Sequence, residues 1–422
     1  MNTVAIILFI LTYALLLTFP TKRAHVAITS AILFVILGIL PIGEVLTAVN
    51  WNVIFMIVGT MGVVNLFIES KMPSLLADVI IEKTPNVKWT IISLSLFAGI
   101  ISAFVDNVAT VLMVAPVAIT IAKKLKISPV NSVIAISIAS NLQGAATLVG
   151  DTTSILLGGA LGMNFLDFFF FEGKPGLFWI VQIGAVASTF VLLYIFRKDK
   201  QSVESLGRTK VKDYFPTVLL VGIIVLLIIA SFLPNMPENI NGIICMAMFA
   251  IGLIRKVIVT KDLAALKVAA EEIDYTTILL LTGLFVIIGG LVNVGVVDDI
   301  GNLFTKISDN PFVIYTIIVW ASVLCSAFID NIPYVATMLP VVGAITTNLG
   351  MDGSYLLYFG LLIGATLGGN LTPIGASANI TGLGILRKEG YEVKASEFMK
   401  ISVPFTLVAV MAGYVMIWFL WK

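Results

Sequence analysis

Two Asp-Asn pairs interrupt apolar stretches of the sequence and are the residues with the clearest chemical potential. Asp106-Asn107 lies within SAFVDNVATVLMVAP, and Asp330-Asn331 lies within SAFIDNIPYVATMLP. Carboxylate and amide oxygens can coordinate cations and accept hydrogen bonds, and a carboxylate can also bind a proton. A charge near the bilayer centre costs about 2.5–3.5 kcal/mol on insertion scales, so these aspartates need a cation, a proton or local donors. The pairs therefore predict an ion site, with helix N-capping as the alternative role.

The composition places these pairs in a membrane protein. Of the 422 residues, 59% are hydrophobic and only 12% are charged, whereas soluble domains carry roughly 25% charged residues. The mean hydropathy is +1.08, and apolar runs long enough to cross a hydrocarbon core of about 30 Å recur along the chain. The expected partner is the lipid bilayer, and a net charge of +1 gives no indication of nucleic-acid binding.

The regions around the two pairs belong to an internal repeat. Six residues between Ser102 and Pro116 recur 224 positions later, and three residues of the following segment recur 225 positions later. This register predicts repeats at 1–196 and 214–422, joined by a cytoplasmic linker at 197–213. The predicted pieces are scaffold helices within 4–69, interrupted segments at 90–162 and a helix at 175–196, followed by 214–294, 311–386 and 401–421.

Clusters of lysine and arginine predict how the repeats lie in the membrane, because basic loops favour the cytoplasm. All the clusters can be cytoplasmic only if 90–122 and 311–347 are re-entrant hairpins that enter from opposite faces. The repeats are then inverted. The protein is expected in the cytoplasmic membrane, with both termini on its outer side. The clusters are at 22–23, 123–126, 197–200 and 387–388.

Each repeat also contains a span interrupted by small and polar residues. SNLQGAATLVGDTTS occupies 140–154, and TLGGNLTPIGASAN occupies 366–379. Irregular backbone at membrane depth persists only where protein or a watered cavity satisfies its polar groups. We therefore expect two unwound spans whose half-helix ends face a shared site, an arrangement typical of alternating-access transporters.

These four interruptions supply the candidate ligands. Asp106, Asp151 and Asp330 are predicted to bind Na⁺ or protons, with a possible Na⁺ position near the two Asp-Asn pairs. Neutral side chains and unwound backbone nearby are predicted to bind the substrate, and no other cofactor is expected. These further candidates are Asn107, Asn141, Gly150, Thr152, Thr153, Asn331, Asn370, Thr372, Gly375, Ser377 and Asn379.

The quoted segments resemble the ion transporter superfamily, which includes arsenite permeases, sodium/proton antiporters, citrate and divalent-anion symporters and the P protein. The likeness extends over nearly the whole chain and is strongest to the P-protein and arsenite-permease branch. It implies an all-α polytopic fold of two inverted repeats, each with a re-entrant hairpin and a discontinuous helix. It also implies a homodimer that works by an elevator motion, with ligands from the hairpin tips and from residues 141–154 and 370–379.

Two departures from this superfamily bear on the substrate. Divalent-anion symporters carry Ser-Asn-Thr at their tips, whereas this chain carries Asp-Asn-Val and Asp-Asn-Ile. Carboxylates make the tips less favourable for a di- or tricarboxylate and more favourable for Na⁺ or H⁺. The sequence GDTTS stands where P-protein-like chains have Gly-Asp-Pro-Pro-Asn, so a run of hydroxyl side chains replaces the prolyl turn and the amide of that loop.

The sequence predicts a secondary active transporter that moves a small anion coupled to Na⁺ or H⁺. Efflux of arsenite or antimonite and Na⁺/H⁺ antiport are the alternatives. A passive anion channel is disfavoured because paired broken helices are typical of carriers. An enzyme is not expected, because the chain has a single histidine, His25, and its aspartates are related by the repeat.

Overall fold

A computed structural model describes residues 2–203, 207–262 and 264–422, apart from the side chain of Thr305. Residues 204–206 of the predicted linker lie outside this description. Within it, seven helices are long and apolar enough to cross a membrane, and a further pair passes the same test together with a bend of 113° between its members. The prediction of a helical polytopic membrane protein is confirmed.

The first half contains ten α-helices, with 3₁₀ turns at Pro20–Lys22, Ile42–Glu44 and Leu166–Phe168. A pair of two-residue strands, Phe170–Phe171 and Lys174–Pro175, precedes the last helix. The helices are α1 Asn2–Thr18, α2 Arg23–Ile36, α3 Val45–Ala48, α4 Trp51–Glu69, α5 Met72–Glu82, α6 Val87–Ser102, α7 Asn107–Leu125, α8 Val130–Gly144, α9 Thr152–Leu161 and α10 Leu177–Ile195.

The second half has the same order of long helices and breaks, with a 3₁₀ turn at Gly369–Leu371. Its helices are α11 Phe215–Phe232, α12 Ile240–Thr260, α13 Ala264–Glu271, α14 Tyr275–Asn293, α15 Val296–Ile307, α16 Pro311–Ser326, α17 Asn331–Asn348, α18 Leu356–Gly368, α19 Ser377–Lys388 and α20 Ala395–Trp421. Helix α4 packs on α12 as α14 packs on α2, and α6 packs on α8 as α16 packs on α18. The assignment of these halves to inverted repeats stays a prediction.

The interrupted segments are pairs of shorter helices. The chain breaks between α6 and α7 and between α16 and α17, and each second helix begins directly after an aspartate. Asp106 accepts hydrogen bonds from the backbone N–H groups of Val108 and Ala109 at 3.0 and 3.1 Å. Asp330 accepts one from Ile332 at 3.1 Å. Both carboxylates therefore cap helices, which satisfies donors that have no partner within the helix.

The other two breaks, after α8 and after α18, are held by matching contacts. The Thr147 hydroxyl donates to the carbonyl of Ala103, and the Thr372 hydroxyl donates to that of Ala327. Each bond connects an unwound span to the end of α6 or of α16. The breaks that follow these two helices, at 103–106 and 327–330, are called the first and second tips. The tips and the unwound backbone are thus joined in the same way in both halves.

Two glycines permit this close approach. A Cβ atom at Gly150 would lie 2.6–2.9 Å from carbonyl oxygens of Gly144, Ala103 and Ser102. A Cβ atom at Gly375 would meet three carbonyl oxygens at 2.6–2.9 Å in the second half. These distances are too short for any side chain, because the neighbours are backbone atoms that cannot move independently.

We expect Gly375→Ala to destabilise the protein by about 1–3 kcal/mol, the usual cost of overpacking. Gly384→Ala is the matched control, because a Cβ atom at that position of α19 has no neighbour within 4 Å. The measurement is the thermal unfolding midpoint of each purified variant in detergent. Equal midpoints for the two variants would contradict the described packing.

Candidate functional site

A cavity of about 190 Å³ lies where three breaks meet: the first tip, between α6 and α7, the second tip, between α16 and α17, and the first unwound span. Six of the candidate residues from the sequence line it, and they come from both halves of the chain. These residues are Asp106, Asn107, Asp151, Thr152, Asn331 and Ser377.

The first tip is fixed by hydrogen bonds that leave its carboxylate facing the cavity. The Asn107 amide donates to Oδ1 of Asn141 at 3.0 Å, and the Ser140 hydroxyl donates to the Asn107 carbonyl at 3.0 Å. Within the described residues, Asp106 has backbone N–H partners but no ion pair with a basic side chain. Its negative charge is therefore available to a mobile cation or a proton.

The unwound first span adds a second carboxylate. Asp151 is 3% exposed and accepts from the Thr152 N–H at 2.7 Å and from the Thr153 hydroxyl at 3.2 Å. Thr153 also bonds to the Thr366 hydroxyl at 2.9 Å, which connects this site to α18. The repeat register places Ala376 opposite Asp151, so the second half has no equivalent acid.

The second tip differs from the first. Asp330 accepts from the Arg23 guanidinium at 2.7 Å and from the Ser377 hydroxyl at 3.2 Å, and it does not line the cavity. The side chain of Asn331 does line the cavity and is 2% exposed. Its Nδ2 atom has no hydrogen-bond partner among the described residues. A buried donor without a partner is costly, and it marks Asn331 as a position where a ligand can bond.

The remaining candidates lie behind the cavity wall and support it. The Asn141 amide donates to the Thr366 carbonyl at 2.8 Å, and the Asn370 amide donates to the Ile138 carbonyl at 2.9 Å. These two bonds cross between the halves in opposite directions. The candidates that do not line the cavity are Asn141, Gly150, Thr153, Asp330, Asn370, Thr372, Gly375 and Asn379.

Four polar lining residues were not expected from the sequence. Asn65 lies on α4 and donates to the Glu272 carbonyl at 3.0 Å, while Asp274 caps α14 through the Thr277 N–H at 3.1 Å. The cavity therefore opens where α4 ends and α14 begins. Glu272 is exposed there, and partial desolvation raises the pKa of its carboxyl above the ordinary value. The capping pattern before α14 could have indicated Asp274, but nothing local connects Asn65 with the tips.

The cavity has an acidic lining. Asp106, Asp151, Glu272 and Asp274 contribute carboxyl groups, and no lysine, arginine or histidine lines it among the described residues. The described residues also contain no group of three or more histidine, cysteine, aspartate or glutamate side chains arranged to hold a metal ion. The oxygen atoms of the lining carboxylate, amide and hydroxyl groups are suitable ligands for a monovalent cation, and the carboxylates can also bind a proton.

Comparisons with known proteins agree with a transporter. The family model described as CitMHS, citrate transporter, matches residues 13–360. An uncharacterized transporter of Mycobacterium bovis is 31% identical over 431 residues, which covers 99% of this chain and 98% of the relative. The P protein of Sus scrofa is 24% identical over 457 residues, which covers 88% of this chain and 53% of the P protein.

Solved structures share the fold. The YdaH transporter of Alcanivorax borkumensis aligns with a TM-score of 0.61 at 13% identity, covering 89% of this chain and 86% of that one. MtrF of Neisseria gonorrhoeae, described as representing a class of antimetabolite efflux pumps, aligns with a TM-score of 0.54 at 15% identity, covering 96% and 83%. The resemblance to the ion transporter superfamily found in the sequence is confirmed.

The two tip asparagines should respond differently to truncation. Asn107→Ala removes a buried hydrogen bond to Asn141, and we expect a loss of about 1 kcal/mol of unfolding free energy. Asn331→Ala removes an amide with an unpartnered donor, and we expect no comparable loss. The measurement is the thermal unfolding midpoint of both variants in ligand-free detergent solution. A larger loss for Asn331→Ala than for Asn107→Ala would contradict the assignment of Asn331 to the ligand.

Proposed function

This chain belongs to the citrate transporter family, and we propose that it is a secondary active transporter that moves a small anion across the cytoplasmic membrane together with Na⁺ or H⁺. The observation that carries the proposal is the acidic lining of the cavity between the hairpin tips. An anion is repelled by this lining until cations or protons neutralise the carboxylates. Substrate binding is then coupled to cation binding by electrostatics.

The coupling follows from thermodynamic linkage. If a cation at Asp106 or Asp151 raises the affinity for the anion, the anion raises the affinity for the cation by the same factor. Asn107, Thr152, Asn331 and Ser377 supply neutral hydrogen-bonding groups that suit an oxyanion. Transport requires that the loaded site favours a closed state which the partly loaded site does not.

The proposal includes a direction of access. In the orientation predicted from the basic loops, α4 ends and α14 begins on the cytoplasmic side. A cavity that opens at those helix ends therefore represents an inward-facing state. The mouth carboxylates of Glu272 and Asp274 would concentrate cations at the entrance by lowering the local electrostatic potential.

We further propose an elevator motion in a homodimer, as the resemblance implies. The bonds from Asn141 to Thr366 and from Asn370 to Ile138 cross between the two halves. These bonds, and the ties between each unwound span and its hairpin, support movement of both hairpins and both unwound spans as one unit. The scaffold would then consist of the helix pairs α2–α14 and α4–α12.

Na⁺/H⁺ antiport is the second candidate function, and the same lining favours it. Two neighbouring acids without a basic residue can exchange a proton for Na⁺ with no anion present. The two functions differ in a flux assay, because an antiporter moves cations in the absence of any anion.

We expect Asp106→Asn to lower cation-driven citrate uptake into proteoliposomes by at least about tenfold, which corresponds to about 1.4 kcal/mol. The residual uptake should depend less steeply on Na⁺ or on a pH gradient, because the neutral amide needs no counter-ion and Asp151 is then the remaining buried carboxylate that lines the cavity. If citrate does not raise the thermal stability of the protein, the anion that does so in a screen of succinate, phosphate and arsenite replaces it.

Asp298→Asn is the matched control, because Asp298 is exposed on α15 and does not line the cavity. This variant should keep the uptake rate and the cation dependence of the wild type. An unchanged cation dependence in Asp106→Asn would contradict the role of the first tip. Cation exchange without any anion would favour the antiporter.

A further inference from the structure

Asp330 and Asp106 occupy equivalent positions in the two halves but have different partners. Asp330 is paired with Arg23 at 2.7 Å, with side-chain exposures of 5% for the aspartate and 17% for the arginine. Asp106 has no basic partner among the described residues and lines the cavity. The two halves therefore differ in charge where the coupling cations are proposed to bind, because one aspartate has a basic partner and the other does not.

We propose that Arg23 is a resident cation for the second hairpin tip in the inward-facing state, so that in this state only the first of the two tips takes up an exchangeable cation. The inference rests on the proposed function, because it takes both tips as cation sites. It adds that only one of these two sites exchanges its cation with solution. The Arg23 guanidinium and a bound Na⁺ or H⁺ are alternative ways to neutralise the same carboxylate.

The local structure holds Arg23 in this position. Arg23 is the first residue of α2, directly after the 3₁₀ turn that follows α1. Helix α2 lies close against α14, where a Cβ atom at Gly283 would be 2.7–2.9 Å from atoms of Ala27. The Tyr13 hydroxyl on α1 donates to the Pro333 carbonyl at 2.7 Å. Helix α1, through Tyr13, and the start of α2, through Arg23, therefore both contact the beginning of α17.

Two further hydrogen bonds stabilise the Asp330 carboxylate. Its carboxylate also accepts from the Ile332 N–H at 3.1 Å and from the Ser377 hydroxyl at 3.2 Å. The guanidinium supplies the full positive charge, and hydrogen bonds between charged groups are the strong ones. The guanidinium is covalently attached to the chain, so it does not exchange with solution as a bound Na⁺ or proton does.

The second half has no basic residue in the connection that corresponds to the Arg23 corner. The connection between α11 and α12 reads LPNMPEN at 233–239 and contains Glu238 but no lysine or arginine. Helix α12 then begins at Ile240, whereas α2 begins at Arg23. The corner that corresponds to Arg23 therefore carries no basic side chain, and Asp106 has no ion pair among the described residues.

The test replaces the tethered cation with a free one. In Arg23→Ala, guanidinium ion at millimolar concentration should raise the thermal unfolding midpoint by about 2 °C or more relative to NaCl at equal ionic strength. The wild type, Arg23→Lys and the double variant Arg23→Ala/Asp330→Asn should show no such shift. This readout needs neither a substrate nor transport, so it can succeed or fail independently of the proposed function.

The transport consequence is a change in cation dependence. Arg23→Gln frees Asp330 for an exchangeable cation, and the apparent Hill coefficient of citrate uptake for the coupling cation should rise by about one. Addition of Asp330→Asn should return it to the wild-type value. If the salt bridge had only a structural role, its removal would lower protein stability without changing this coefficient.

Each outcome decides the proposal. A guanidinium shift that persists in the double variant, or no shift in a folded Arg23→Ala protein, would overturn it. If Arg23→Ala does not fold, recovery of folding in the double variant supports the charge pair, and failure of both variants overturns it. An unchanged Hill coefficient in folded Arg23→Gln would also overturn it.

Discussion

The structure depends on the neutralisation of carboxylates that lie among apolar helices. Asp106, Asp151 and Asp330 are placed by backbone breaks, and each accepts hydrogen bonds from the N–H group of a following residue. Backbone donors lower the cost of burying a charge but do not cancel it. What completes the neutralisation differs between the three, and this difference organises the site. A fixed guanidinium serves Asp330, while Asp106 and Asp151 face a cavity that small ions can enter.

The repeated backbone contacts explain how two halves can form one site. The threonine hydroxyls at 147 and 372 and the glycines at 150 and 375 make corresponding contacts, so both breaks have the same local geometry. Side chains on this common frame are free to differ. Asp151 stands opposite Ala376, and Asp106 faces the cavity where Asp330 does not. The local backbone geometry is repeated and the charge is not, which is consistent with the proposed binding of an anion and a cation at one site.

Much of the fold could be predicted from the sequence because helix length and hydropathy are local properties. The predicted span 51–69 coincides with α4, and the predicted breaks lie where α6, α8, α16 and α18 end. The Asp-Asn pairs and the unwound spans also identified six of the ten polar residues that line the cavity, because a buried polar residue in an apolar run is informative by itself. The Arg23–Asp330 pair could not be predicted, since its members are 307 residues apart and Arg23 also fits a cytoplasmic basic loop. Asn65 was missed for the same reason, because only the packing of α4 brings it to the tips.

The most direct test of the account is the affinity of purified wild-type protein for citrate, measured by titration calorimetry across Na⁺ concentrations and pH. If citrate gives no heat at any Na⁺ concentration or pH, the anion that most stabilises the protein takes its place. The account predicts that anion affinity rises with Na⁺ or with proton concentration and that cation affinity rises by the same factor with the anion. An anion affinity that is equal with and without cations, in a cavity that retains all its carboxylates, would contradict it.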